Sequence, residues 1–293
     1  MTNLIPRNTI LKAKKVILEH LNVRMRYLPL LLFFPVVLYF VYILKYWFKY
    51  FFEGFFYRQK PITKAQKVLL ENNFPVYQKL STRQKQKFHY RLLKFRNDKE
   101  FIFNGIIPRQ EDIAFLLSAT AGILTLGMRD FKISSINRII IYPSQYFSRL
   151  NRQDHIGEYN PGMKTLVISA EHLKEGFKIP NDNKNLGVHE FAHALSFNAK
   201  LVNSKDTRVF TSGVEKIKLL FHDVNFVQQL ETSTYFRAYA KTNMQEFFAV
   251  AAENFVETPI AFQKEFPALY KIIGEMLNFD FHKPTKFLLK KTA

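Results

Sequence analysis

The sequence contains no cysteine among its 293 residues. Disulfide bonds, thiolate catalysis and cysteine-based zinc sites are therefore excluded, and a zinc ion would need histidine and carboxylate ligands. Internal repeats and low-complexity segments are also absent from the sequence. A chain of this length can bury a substantial core and form one or two domains.

Acidic residues are scarce in the N-terminal third of the chain. The net charge is +19, and residues 1–100 carry 20 Lys and Arg against five Asp and Glu, whereas the remaining residues carry 23 against 19. This asymmetry indicates a polyanionic neighbour, either anionic lipid or nucleic acid. No recognised nucleic-acid-binding motif accompanies the basic residues, so nucleic acid is the less favoured partner.

Residues 27–44 form an uncharged run of 18 residues. As a helix the run would be about 27 Å long, enough to cross a hydrocarbon core. Aromatic and basic residues continue to position 58, as is typical of a membrane interface. We predict a basic segment over 1–26 and a single-pass membrane anchor over 27–58. The alternatives are an aromatic helix packed on a soluble domain and an anchor that does not span the bilayer.

Residues 61–293 are predicted to form an α+β domain, mostly helical with a small sheet. Thr63 and Ser81 are candidate N-caps of two helices, and an apolar run predicts a buried helix over Glu111–Leu124. Apolar and β-branched residues predict strands near 100–103, 136–142 and 164–169.

Residues 189–193 form an H-E-x-x-H pentad. On a helix, residues four apart share one face, so His189 and His193 can direct their imidazoles at one zinc ion. Glu190 would then lie beside the metal, where it can act as general base on a bound water. The alternative is a helix that merely carries two histidines and a glutamate.

The third metal ligand is not adjacent to the pentad. The extended motif with a third histidine is absent, since Ser196 and Ala199 occupy its glycine and histidine positions. A downstream side chain must complete the site, and the candidates are Glu215, His222, Asp223, Glu231, Glu246 and Glu253.

Glu246 is the favoured third ligand, because it opens an apolar helix in which an unpaired carboxylate would be costly to bury. Alternatively, Glu246 closes a capping box with Asn243. Glu253 lies two turns further on. It either supports a metal-bound histidine or faces the surface.

The chain carries several spaced motifs, at residues 189–195 (HEFAHAL), 239–250 (YAKTNMQEFFAV), 253–256 (ENFV) with Pro259, 140–143 (IIYP) and 266–270 (FPALY). Together these motifs resemble the Mlc titration factor A family of zinc peptidases. The resemblance covers roughly residues 75–280.

This resemblance implies an α/β zincin fold similar to the catalytic domain of anthrax lethal factor. It implies zinc ligands at His189, His193 and Glu246, catalytic roles for Glu190 and Tyr239, and aminopeptidase-like activity on peptides. Where family members commonly carry aspartate, this chain has Ser196, which we place with Glu253 among the side chains that support the ligands. The family is cytosolic, so the anchored domain is predicted to face the cytoplasm.

Three hypotheses of function follow. The favoured one is a zinc metallopeptidase with a peptide or protein substrate. The second is a membrane-tethered regulatory module that binds a protein partner and has a zinc site with little or no catalysis. The third, a nucleic-acid binder, is the least favoured.

Overall fold

The structure is a computed structural model that describes residues 33–45, 61–148 and 152–284. The chain divides into two compact units, Met1–Arg58 and Gln59–Ala293. In the first unit, helix α1 covers residues 33–45, and all of its large apolar side chains except Ile43 are exposed. No helix within the described ranges is long and apolar enough to cross a bilayer. The predicted segment 1–26, and residues 27–32 and 46–58 of the predicted anchor, lie outside those ranges.

The second unit is mostly helical. Thr63 and Ser81 cap its first and third helices, as the sequence predicts, and the structure shows that each does so through a reciprocal capping box. The predicted buried helix is also confirmed. The helices are α2 Lys64–Asn73, α3 Pro75–Lys79, α4 Thr82–Asp98, α5 Gln110–Leu124, α6 Ala170–Lys178, α7 Leu186–Leu201, α8 Lys205–Leu220, α9 Val224–Thr232, α10 Met244–Glu257, α11 Pro259–Glu265 and α12 Pro267–Leu277, with a 3-10 helix at Ala238–Lys241.

A four-stranded sheet covers one side of α7. The strands are β1 Glu100–Phe103, β2 Arg138–Tyr142, β3 Tyr146–Ser148, β4 Gln153–His155, β5 Gly157–Asn160 and β6 Thr165–Ser169. The sheet order is β1-β2-β6-β5, and β3 pairs with β4 separately. β1, β2 and β6 are parallel, while β5 runs antiparallel to β6 and forms an edge.

The predicted strands near 100–103, 136–142 and 164–169 are confirmed, whereas β3, β4 and β5 were not predicted. Each of these three has only three or four residues, and β4 and β5 are largely polar. They lack the apolar alternation by which a strand is recognised in a sequence.

Helix α7 lies at the centre of the second unit, packed against α5, α6, α8, α10, β5 and β6. Its face is tightly enclosed: Phe191, Ala192 and Ala194 are completely buried, and the Phe191 ring meets Phe95 edge to face. The small side chains let neighbouring helices approach closely. The position of the H-E-x-x-H residues is therefore fixed by a dense apolar core.

Candidate metal centre

Helix α7 brings the two pentad histidines together. The Asn185 side chain caps the helix by accepting a hydrogen bond from the Val188 N–H at 3.1 Å. One turn later, His189 and His193 place their Nε2 atoms 3.2 Å apart, with both rings largely buried. The spacing of four residues thus produces the paired geometry that the sequence predicts.

Helix α10 places the Glu246 side chain beside the two histidine Nε2 atoms. Its Oε2 atom lies 3.1 Å from His189 Nε2 and 3.5 Å from His193 Nε2. The Asn243 side chain caps α10 by accepting from the Gln245 and Glu246 N–H groups. The carboxylate of Glu246 faces the imidazoles, as a third ligand must, and metal binding by Glu246 stays a prediction.

These three residues fit a divalent metal ion. In a tetrahedral site with metal–ligand distances near 2.0 to 2.1 Å, ligand atoms are about 3.3 Å apart. The observed separations of 3.1, 3.2 and 3.5 Å bracket that value. Among the described His, Asp and Glu side chains, His189, His193 and Glu246 form the group whose ligand atoms are close enough together to hold a metal ion.

The charges at the site favour a cation as well. Burial opposes ionisation of Glu246, but hydrogen bonds from both histidines hold its pKa below the usual range. Burial lowers the pKa of His189, but its hydrogen bonds to Glu246 and Glu253 outweigh burial and raise that pKa to about 9. The pocket therefore attracts a positive charge, which a metal can supply in exchange for a proton.

The other ring nitrogen of His189 is held by Glu253. The Nδ1···Oε1 distance is 2.7 Å, and the Glu253 side chain is 1% exposed. With Nδ1 donating to a carboxylate, the Nε2 lone pair is left for a metal. Glu253 Oε2 accepts from the Asn185 N–H at 2.7 Å, and Arg237 Nη2 donates to Oε1.

Sequence reasoning missed Asn185 and Arg237. An asparagine four residues before His189 is a recognisable N-cap, so Asn185 could have been found. Nothing in the sequence around Arg237 indicates its contact with Glu253, because the two residues meet only when the segment before α10 folds back onto that helix.

Glu190 is buried against β5. It is 5% exposed, its Oε2 atom has no hydrogen-bond partner among the described residues, and burial raises its pKa to about 7. Gly157 makes room for it: a Cβ atom at that position would lie 2.5 Å from Glu190 Oε1 and 2.7 Å from Leu186 Cδ1. The edge strand thus forms a cradle for this carboxylate.

The two remaining predicted site residues have different outcomes. The Ser196 hydroxyl donates to the Ala192 carbonyl at 3.0 Å, one turn back on α7. Support of His193 by Ser196 stays a prediction. Tyr239 lies in the 3-10 helix, and its side chain falls outside the described part of the structure.

A cleft with two lobes surrounds His189, His193 and Glu246. One lobe, of about 260 Å³, is lined by His193, Glu246 and β5. The other, of about 860 Å³, extends toward α6, Arg237 and Glu253. Both lobes are lined by His155, Gly157, His189 and Glu190. The site is therefore open along the edge strand and large enough for a peptide segment.

The chain is similar in sequence to proteins of Synechocystis and Yersinia. The chain is 24% identical to an uncharacterised protein of Synechocystis sp. over 230 residues, which cover 73% of this chain and 84% of that protein. It is 24% identical over 219 residues to Mlc titration factor A of Yersinia pestis and of Yersinia pseudotuberculosis, covering 68% of this chain and 79% of each relative.

A family model described as glucose-regulated metallo-peptidase M90 matches residues 53–277. That match spans the sheet, the pentad helix and the helix that carries Glu246. The chain therefore belongs to the glucose-regulated metallo-peptidase M90 family.

Proposed function

We propose that this protein is a zinc-dependent peptidase in which His189, His193 and Glu246 hold the metal and Glu190 is the general base. The observation that carries the proposal is the convergence of the three ligand atoms at separations of 3.1 to 3.5 Å. Two nitrogens and one carboxylate oxygen are the ligand set of many catalytic zinc sites, and they leave a fourth position open. The proposed arrangement is that of the zincin peptidases.

Zinc at this point would supply Lewis acidity and bring the pKa of water close to 7. The protein itself sets the orientation and the separation of the proposed ligands. Glu253 keeps the Nδ1 proton on His189, which directs the Nε2 lone pair to the site. The packing of α7 against α10 sets the separation of the imidazoles from the carboxylate.

Glu190 accepts a proton from the attacking water and passes it to the leaving amine. A pKa of about 7 suits both steps, because a group that titrates near the working pH can accept and then release a proton. Burial causes this rise in pKa, and the Oε2 atom, which has no hydrogen-bond partner within the described residues, is available as an acceptor.

The substrate is a peptide or protein segment that lies along β5. An edge strand offers backbone N–H and C=O groups to which an extended peptide can pair. The Tyr239 hydroxyl would donate to the developing oxyanion. By resemblance to the Mlc titration factor A family, the activity is aminopeptidase-like.

Glu190→Gln tests the role of the base. We expect this variant to bind zinc as the wild type does and to lose about 10²- to 10⁴-fold in kcat on fluorogenic peptides. Glu215→Gln is the matched control, since Glu215 is exposed and pairs with Lys218. Peptides with free and acetylated N-termini separate aminopeptidase from endopeptidase activity. Full activity in Glu190→Gln contradicts the assignment.

A regulatory function is the second candidate. The observation in its favour is that the Yersinia relatives are named Mlc titration factor A. Under this proposal the chain binds a regulatory protein and uses its metal site for structure. Wild-type protein that contains stoichiometric zinc and cleaves no peptide in a broad library would favour this candidate.

We also propose that the N-terminal region attaches the peptidase to a membrane, with the catalytic unit facing the cytoplasm. Support comes from the uncharged run at 27–44, the flanking basic residues and the exposed apolar side chains of α1. The full-length chain should sediment with membranes and resist extraction by high salt. Recovery in the soluble fraction contradicts the proposal.

A further inference from the structure

Arg237 contacts the side chains behind the metal centre. Its Nη2 atom donates to Glu253 Oε1 and lies 3.4 Å from His189 Nδ1. The side chain is 32% exposed and lines the larger lobe of the cleft. We propose that Arg237 is a positioning residue that orients His189 toward the metal by fixing the Glu253 carboxylate. The inference rests on the metal centre of the proposed function.

Glu253 needs a cationic partner. A buried carboxylate is costly unless it is paired and hydrogen-bonded. Glu253 accepts hydrogen bonds from His189 through Oε1 and from the Asn185 N–H through Oε2. Among the Lys and Arg side chains that the structure describes, Arg237 forms the ion pair with Glu253. Arg237 thus balances the negative charge that holds the metal ligand.

The shared oxygen couples Arg237 to His189. Oε1 accepts hydrogen bonds from both Arg237 Nη2 and His189 Nδ1. The guanidinium therefore limits rotation of the Glu253 carboxylate, and the carboxylate in turn sets the orientation of the His189 imidazole. The guanidinium Nε is buried and has no partner among the described residues. Within the described residues, the polar contacts of the Arg237 side chain are those with Glu253 and His189.

The backbone before the 3-10 helix is anchored independently of this pair. Phe236 is 3% exposed, and its ring packs on Phe247 of α10 and on Phe266 at centroid distances of 5.7 and 4.9 Å. Removing the guanidinium should leave this ring cluster intact. A substitution at 237 can consequently change the metal site without unfolding the chain.

The test compares the full-length wild type with Arg237→Gln, Arg237→Lys, Glu253→Gln and the double variant Arg237→Gln/Glu253→Gln. Zinc affinity is measured by chelator competition, the ligand field by the visible spectrum of the cobalt form, and folding by thermal melting. Arg138→Gln is the control, since Arg138 pairs with Glu100 at the surface.

We expect Arg237→Gln to weaken zinc binding about 10- to 100-fold and to shift the cobalt spectrum, with Arg237→Lys intermediate. If Arg237 acts through Glu253, the double variant binds zinc no more weakly than Glu253→Gln alone. Arg138→Gln should match the wild type.

Wild-type zinc affinity and cobalt spectrum in Arg237→Gln would overturn the proposal. The proposal is also overturned if the double variant loses zinc affinity by the product of the losses in Arg237→Gln and Glu253→Gln. If neither Arg237→Gln nor Arg237→Lys folds, Arg237 is required for folding and the positioning role is rejected. If the wild type cleaves no peptide but Arg237→Gln still loses zinc affinity, the proposed function fails while the positioning role stands.

Discussion

Replacement of Gly157 by alanine should separate catalysis from folding. The added Cβ would lie 2.5 Å from Glu190 Oε1, whereas ordinary van der Waals contact begins near 3.4 Å. The carboxylate must therefore move by about 0.9 Å. A displacement of about 1 Å in a reacting group can lower a rate about 100-fold, so we expect kcat/KM to fall by roughly that factor.

The free energy of unfolding should change by less than about 1 kcal/mol. The atoms nearest the new Cβ are the ends of the Glu190 and Leu186 side chains, which can shift without moving the backbone. Alanine also restricts the unfolded chain, which offsets part of any strain. Zinc content should be unchanged, because neither affected side chain is a proposed ligand.

Fluorogenic peptide hydrolysis, zinc analysis and thermal melting measure the three quantities. Gly162→Ala is the matched control, since its Cβ would meet Asn160 Oδ1 at an ordinary 3.5 Å. Wild-type kcat/KM in Gly157→Ala would refute the claim that Gly157 makes room for the Glu190 carboxylate. Parallel loss of zinc and of thermal stability would show a packing defect and would also refute the reasoning.

Two further predictions concern stability. In Gly127→Ala the new Cβ would lie 2.0 Å from the Asn278 carbonyl oxygen, which is a backbone atom. We therefore expect the free energy of unfolding to fall by about 1–3 kcal/mol and the melting temperature to fall by about 2–4 °C per kcal/mol. A melting curve like that of Gly162→Ala contradicts this prediction. Burial raises the pKa of Glu257 to about 7. The folded state then binds more protons than the unfolded state between about pH 4.5 and 7, so its stability falls as pH rises through that window. Glu257→Gln should flatten this loss and raise the melting temperature at pH 8. Identical pH slopes for variant and wild type, from melts between pH 5 and 8, contradict the assignment.

Much of the helical framework could be predicted because helix ends are local features. Thr63, Ser81 and Asn243 each cap the backbone N–H groups that immediately follow them. The edge strand β5 and the β3–β4 hairpin escaped prediction because pairing with another strand, not their own composition, stabilises them.

The sequence by itself determined that His189 and His193 share one face of a helix with Glu190 beside them, because the pitch of an α-helix fixes residues four apart. It also narrowed the third ligand to a few downstream side chains. Only the tertiary structure decided that Glu246 meets the imidazoles, that Gly157 makes room for Glu190, and that Arg237 reaches Glu253. Those contacts join residues far apart in the chain, and the packing of α7 against α10 and β5 brings them together.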